Sequence, residues 1–218
     1  MHYQVRIAGE GDNWLRLELV DVPLSIGNAI RRLIINEVPT MAVEEVLVIE
    51  NTSNLTNEIL THRISLIPFV TDLDNYVLPE LCDCGSNLGC DKCSVRFSLR
   101  CTATNEVLTV YSSDLVRESG SEGVKPTSGE FQIVKLAPGQ SVELELYVRL
   151  GKGRRHAKWQ SGVATLYEED GKRMLYVESF GQLPPRRMLL EALKIFEGSI
   201  AKLGEGLEKV IGSGGGAG

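Results

Sequence analysis

At 218 residues, of which 43% are hydrophobic and 24% charged, the chain is long enough to fold around a packed core, as one large domain or two modest ones. Its 23 Lys and Arg against 29 Asp and Glu give a formal charge of −6, so the surface as a whole repels a phosphate backbone and direct nucleic-acid binding is not the expected role. No run of about 18 apolar residues exists, and the opening MHYQVRIAGE lacks the apolar core of a signal peptide, which predicts a cytoplasmic protein, neither membrane-spanning nor secreted.

Leu15 to Val20 alternates apolar and polar residues and reads as a half-buried strand. A helix follows, with Ser25 in the N-cap position after Pro23 and Ile26, Ala29, Ile30 and Leu33 at i, i+3, i+4 and i+7. Its opposite face gathers Asn28, Arg31, Arg32 and Ile35. Ala42 to Glu50 is a strand candidate on which the adjacent Glu44 and Glu45 are expected to point to opposite faces, unable to share a metal or a proton. A shorter helix is expected from Asn57 to Ile67, ending before Pro68.

Val95, Phe97, Leu99 and Cys101 alternate on another strand, which predicts that the Cys101 thiol packs in the core. Val107 to Tyr111 is a further strand candidate, and Glu118 to Gly129 reads as a polar, glycine-bearing loop. Val142, Leu144, Leu146, Val148 and Leu150 share one face of a long strand, and Val163 to Tyr167 and Met174 to Phe180 add two more. The body is therefore an α+β fold without an internal repeat.

The Pro184-Pro185 pair suits the first turn of a last helix running toward Val210. Its apolar residues Leu189, Leu193, Phe196, Ile200, Leu203, Leu207 and Val210 step by 4, 3, 4, 3, 4 and 3, a 3.5-residue seam. Such a seam packs on a partner helix, or a monomer buries it on its own sheet. Gly204 and Gly206 weaken the last turns, so something outside the helix should stabilise them, and the final GSGGGAG is expected to be a flexible tail.

Cys82, Cys84, Cys90 and Cys93 follow the spacing C-x-C-x5-C-x2-C. Four thiolates on so short a loop can close around one tetrahedral Zn²⁺, with Gly85 and Gly89 turning the chain between ligand pairs. Four protein ligands leave no open coordination position, which makes the expected site structural. A redox or iron–sulfur role and unliganded thiols are the alternatives, while stable disulfides are not expected in a chain without export signals.

No G-x-S-x-G, P-loop or H-E-x-x-H occurs, and His2, His62 and His156 are expected to make surface or interface hydrogen bonds, so no catalytic residue is assigned. The basic clusters Arg31-Arg32, Lys152 to Arg155 and Arg186-Arg187 are either contacts for acidic protein surfaces or solvated faces.

The stretch from Pro23 to Val43, PLSIGNAIRRLIINEVPTMAV, resembles the signature helix and following strand of the archaeal D, eukaryotic third-largest and bacterial alpha subunits of RNA polymerase. Glu58 to Pro68, His156-Ala157-Lys158-Trp159, and Glu178-Ser179-Phe180-Gly181 before Pro184 resemble further blocks of that family, in family order.

The resemblance implies a bacterial alpha N-terminal-domain-like architecture: a split dimerisation domain, residues 1–46 and 151–211, interrupted by a β-rich insert at 47–150, with a tail at 212–218. It also implies an assembly subunit that heterodimerises with a small L-type subunit through Ile26, Ile30, Leu33, Leu189, Leu193, Phe196, Ile200, Leu203 and Leu207. Asn28, Arg31 and Arg32 would meet the large catalytic subunits, chiefly the second-largest, and nucleic acid would be reached only through the complex.

The sequence departs from the family in three places. No cysteine follows Cys101, which excludes the additional iron–sulfur cluster that many archaeal members carry after their H-A-K-W block. The cysteine loop is two residues longer between its pairs than the C-x-C-x3-C-x2-C zinc loop of eukaryotic members, and the chain lacks their long C-terminal extension, which points to an archaeal origin. Other readings are a free-standing zinc-binding adaptor, which predicts a stable monomer, and a small redox enzyme using Cys82 and Cys84.

Overall fold

The computed structural model describes residues 3 to 213; His2 and residues 214–218 of the expected tail lie outside the described residues. In chain order the first elements are β1 (Gln4–Glu10), β2 (Trp14–Val20), α1 (Leu24–Asn36), β3 (Pro39–Asn51), α2 (Asn57–Ser65), β4 (Val95–Thr102) and β5 (Leu108–Tyr111). There follow β6 (Val116–Arg117), β7 (Gln132–Leu136), β8 (Ser141–Lys152), β9 (Gly162–Glu169), β10 (Lys172–Ser179) and α3 (Pro185–Ser213). The fold is α+β with antiparallel sheets, and no described helix is long and apolar enough to cross a membrane.

Two compact units divide the chain, one of residues 1–38, 162–179 and 184–218, the other of residues 39–161 and 180–183. The division falls at 38 and 161 rather than at 46 and 150, because β3 pairs with β8 from Pro39↔Lys152 to Asn51↔Val142 and the long hairpin stays whole.

In the first unit, the sheet order is β1-β2-β10-β9. Alternation in β2 buries Leu15, Leu17 and Leu19, and β10 adds Leu175 and Val177 to the same apolar layer. Helix α1 closes over it with Gly27, Ile30 and Ile34. The helix begins two residues earlier than expected, with Pro23 rather than Ser25 in the cap position, because the Pro23 carbonyl already accepts from the amides of Ile26 and Gly27 at 3.1 Å each. Pro184 has the same role at α3, where its carbonyl accepts from Met188 N at 3.0 Å. Strand β1 escaped the sequence reading because its apolar residues Val5 and Ile7 are exposed and no amphipathic contrast marks it.

The second unit stacks its core between the sheet β3-β8-β4-β6 and the short ribbon β5-β7. The alternating face Val142, Leu144, Leu146, Val148 and Leu150 is buried throughout and lies opposite Val95, Phe97 and Leu99 of β4. Cys101 packs half-buried against the same cluster, and burial raises its pKa. Helix α2, capped by the Thr56 hydroxyl, adds Leu60 and Ile64; it stops two residues short of Ile67, whose amide tightens onto the Ile64 carbonyl before Pro68. The stretch Glu118 to Gly129 is more than a solvated loop: Val124 is fully buried, and Val70 N and Thr127 N tie it to residues 68–70 through the carbonyls of Lys125 and Pro68.

Candidate functional site

The four clustered cysteines lie between α2 and β4. Their sulfurs all fall within 4.8 Å of one another, and the Sγ–Sγ distances Cys82–Cys90, Cys84–Cys93 and Cys90–Cys93 are 3.7, 3.8 and 3.9 Å. All four are free thiols. The group can hold a metal ion.

The loop geometry explains why these residue types sit where they do. Gly85 and Gly89 have φ of 62° and 84°, a backbone region that other side chains resist, and they reverse the chain between the two ligand pairs. At Gly89 a Cβ would also meet Ser94 Cβ at 2.6 Å and Cys93 Sγ at 3.1 Å, so a larger residue would displace a ligand. A hydrogen bond from the Ser86 amide pulls the exposed Cys84 thiol down to about 7, whereas burial pushes Cys93 up to about 12. Cys84 is thus the more readily ionised of the two and Cys93 the less.

Beside this loop, β8 and β3 carry a buried polar cluster that the sequence reading missed. Arg149 Nη2 donates to the Asn87 carbonyl at 2.5 Å, and Nη1 lies 4.0 Å from Glu44 Oε2. Glu44 Oε1 accepts from Arg155 Nη2 at 2.5 Å. Trp159 is buried below, with the Arg155 guanidinium 5.1 Å and Lys158 Nζ 4.3 Å from its ring.

The strict alternation expected at Glu44 and Glu45 is interrupted. A β-bulge shifts the register between Val43 and Glu45, and both residues border one cavity with Glu58, His62 and Lys158. His156 accepts from the Lys158 amide at 3.0 Å through Nδ1 and so caps the turn that carries Trp159.

The second set of site residues lies on α1 and α3. The first turns of α3 bury Pro185, Met188 and Ala192, with Leu189 and Phe196 half-covered. Beyond them the seam is open: Leu193, Ile200, Leu203 and Leu207 are exposed, and Leu207 retains 53% of its surface. On α1, Ile30 is buried while Ile26 and Leu33 are half-covered.

The expected polar face of α1 divides. Arg31 Nε donates to Asn28 Oδ1 at 3.3 Å, whereas Arg32 lines a groove of about 310 Å³ with Ala29, Leu33, Phe196 and Ser199. The basic pair on α3 is engaged within the chain, Arg186 with Glu10 at 2.5 Å and Arg187 with Glu191 at 3.0 Å.

The model of the RNA polymerase Rpb3/RpoA insert domain matches residues 44–167, more than half of the chain. The chain belongs to this family. Proteins named DNA-directed RNA polymerase subunit Rpo3 are similar to it. That of Methanosphaera stadtmanae is 41% identical over 74% of this chain and 62% of its own length. The Pyrobaculum neutrophilum protein is 47% identical over 66% of this chain and 53% of its own, and the Methanosarcina mazei protein 37% identical over 77% and 61%. The chain thus aligns with little more than half the length of these Rpb3/RpoA relatives. The family match runs from the bulged strand β3, through the cysteine loop and the Arg149–Glu44 cluster, into β9.

Proposed function

We propose that this chain is a non-catalytic assembly subunit of an archaeal DNA-directed RNA polymerase, working in the cytoplasm as a scaffold. It heterodimerises with a small L-type subunit and presents a docking surface to the large catalytic subunits, chiefly the second-largest. Phosphoryl transfer belongs to those partners. The observation that carries this reading is the exposed seam of α3, where Leu193, Ile200, Leu203 and Leu207 stand at a helical interface spacing without cover from the described residues of this chain. Ile26 and Leu33 of α1 border the same interface, with Ile30 behind them in this chain's own core, and Asn28, Arg31 and Arg32 are the contacts for the large subunits.

Co-expression with the candidate small subunit, followed by size-exclusion chromatography with light scattering, tests the proposal. A 1:1 heterodimer lost in Phe196→Asp is the expected result, since a buried unpaired charge costs several kcal/mol. A chain that stays monomeric and folded beside that subunit would instead favour a free-standing adaptor.

The cysteine loop is proposed to hold one structural Zn²⁺ through Cys82, Cys84, Cys90 and Cys93. Zn–S bonds of about 2.3 Å give tetrahedral S–S edges of roughly 3.8 Å, and the three short sulfur separations are 3.7, 3.8 and 3.9 Å. Zinc would supply a fixed cross-link between the ligand pairs, while the chain supplies four soft donors and the glycine turns that bring them together.

A further inference from the structure

The buried guanidinium of Arg149 stands between two groups that the sequence keeps far apart. On one side, its Nη2 holds the Asn87 carbonyl at 2.5 Å, in the stretch that joins the two cysteine pairs. A Cβ at Gly89 would be 3.2 Å from this nitrogen and 3.1 Å from Cys93 Sγ, so the guanidinium is within about 6.3 Å of that sulfur. On the other side is Glu44, whose side chain retains only 10% of its surface and whose Oε2 has no hydrogen-bond partner. The 4.0 Å between Glu44 Oε2 and Arg149 Nη1 is an ion pair without a hydrogen bond.

Charge explains why this arrangement matters. Four thiolates around a divalent ion carry a net charge of about −2, and a side chain that retains 8% of its surface holds its cation beside them with little screening. Glu44 and the loaded loop are therefore two anions sharing one buried cation. We propose that Arg149 is a positioning residue for the metal loop, and that through it metal loading is coupled to the Glu44–Arg155 pair and the Trp159 pocket. Metal and Glu44 compete for Arg149: loading draws the guanidinium to the loop and releases Glu44 toward Arg155 and the cavity bordered by Glu58, His62 and Lys158. The loop thereby sets the charge of a surface in the H-A-K-W region.

The inference rests on the metal reading above, and one experiment separates their failures. Zn²⁺ affinity of the full chain is measured by competition with a chromogenic chelator, with the Co²⁺ absorption spectrum as a check on tetrathiolate ligation. If the unaltered chain binds neither ion, the metal reading falls and the coupling with it. If it binds, Arg149→Met is expected to weaken Zn²⁺ about tenfold or more, as loss of a group supporting metal ligands does, with Arg149→Lys recovering part of the loss. Glu44→Gln is expected to tighten binding several-fold in the unaltered background and to have no effect beside Arg149→Met. Unchanged affinity in Arg149→Met, or an equal effect of Glu44→Gln in both backgrounds, overturns the proposal while leaving the metal site standing. Should Arg149→Met fail to fold, Trp159 emission in a Trp14→Phe chain decides: it shifts on Zn²⁺ addition if the coupling exists and stays constant if it does not.

Discussion

Trp159 Nε1 donates to the carbonyl of Arg149 at 3.2 Å, and the indole lies over Gly151 so closely that a Cβ there would sit 2.3 Å from its Cε2. The same tryptophan's carbonyl accepts from Thr40 Oγ1 at 2.9 Å, so one side chain and its backbone join β3, β8 and the following turn. Gly151→Ala must expel the indole and is expected to cost more than the roughly 1–3 kcal/mol typical of overpacking. Trp159→Phe keeps most of the volume but removes the indole's hydrogen bond to the Arg149 carbonyl, at about 0.5–1.5 kcal/mol. Urea denaturation should give that order.

Two classes of substitution on α3 should separate. Met188 is fully buried within the unit, so Met188→Ala should lose about 2–5 kcal/mol of stability. Ile200→Ser and Leu203→Ser alter exposed positions and should change stability of the isolated chain by about 0.5 kcal/mol or less, while heterodimer formation falls sharply. Thermal melts of the chain alone and pull-down by the small subunit are the paired measurements.

The division of α1 makes the arginines distinguishable. Arg32 lines the groove beside Phe196, so Arg32→Ala should weaken the small-subunit interface as well as large-subunit assembly. Arg31→Ala removes a part-exposed hydrogen bond to Asn28, should leave the heterodimer intact, and should impair only the later step. Native gel analysis of stepwise assembly distinguishes the two; identical defects would show that the groove does not sort them.

In metal-free protein, the thiols should alkylate in a fixed order. The Cys84 pKa, brought down to about 7, means that its thiolate fraction and iodoacetamide rate rise through neutral pH and level off above it. Cys93, pushed up to about 12, should stay unmodified over the same range. Peptide mass mapping at pH 6, 7 and 8 reads the order, and Zn²⁺ should suppress Cys84 labelling.

Metal content should be near one Zn²⁺ per chain when the protein is purified without added zinc, and Cys90→Ser or Cys93→Ser should lose it. Circular dichroism should retain most strand signal in these variants, because the core strands β4 and β8 are buried independently of the loop. Iron with a visible charge-transfer band would replace the zinc assignment.

The parts of this structure written in local periodicity could be read from the sequence. The alternation of Val142 to Leu150 is visible because one face of β8 is buried and side chains alternate every residue. The cysteine spacing was equally plain, and so was the seam of α3, although the turns that α3 buries at Met188 and Ala192 follow a different phase from the seam. What depends on a single irregularity was not legible. The bulge after Val43 brings Glu44 and Glu45 to the border of one cavity, and nothing in the residues Val-Glu-Glu-Val announces it. Nor does any local pattern connect Arg149 with Asn87, 62 positions earlier, since that contact exists only once β8 and the loop are folded.

Gly198, Gly204 and Gly206 of α3 have nothing within 4 Å of where a Cβ would be, so no packing among the described residues requires them to be glycine. Each costs a helix interior about 1 kcal/mol relative to alanine, and they fall among exposed seam residues that cannot repay it until something covers them. Under the proposed pairing, the distal helix is ordered at a free-energy cost when the chain is alone and at little cost once it is covered. If α3 pairs as proposed, a copy without its partner displays a weakened helix end beside an apolar stripe, and the stretch that would join the complex would also expose surplus copies to proteases and chaperones.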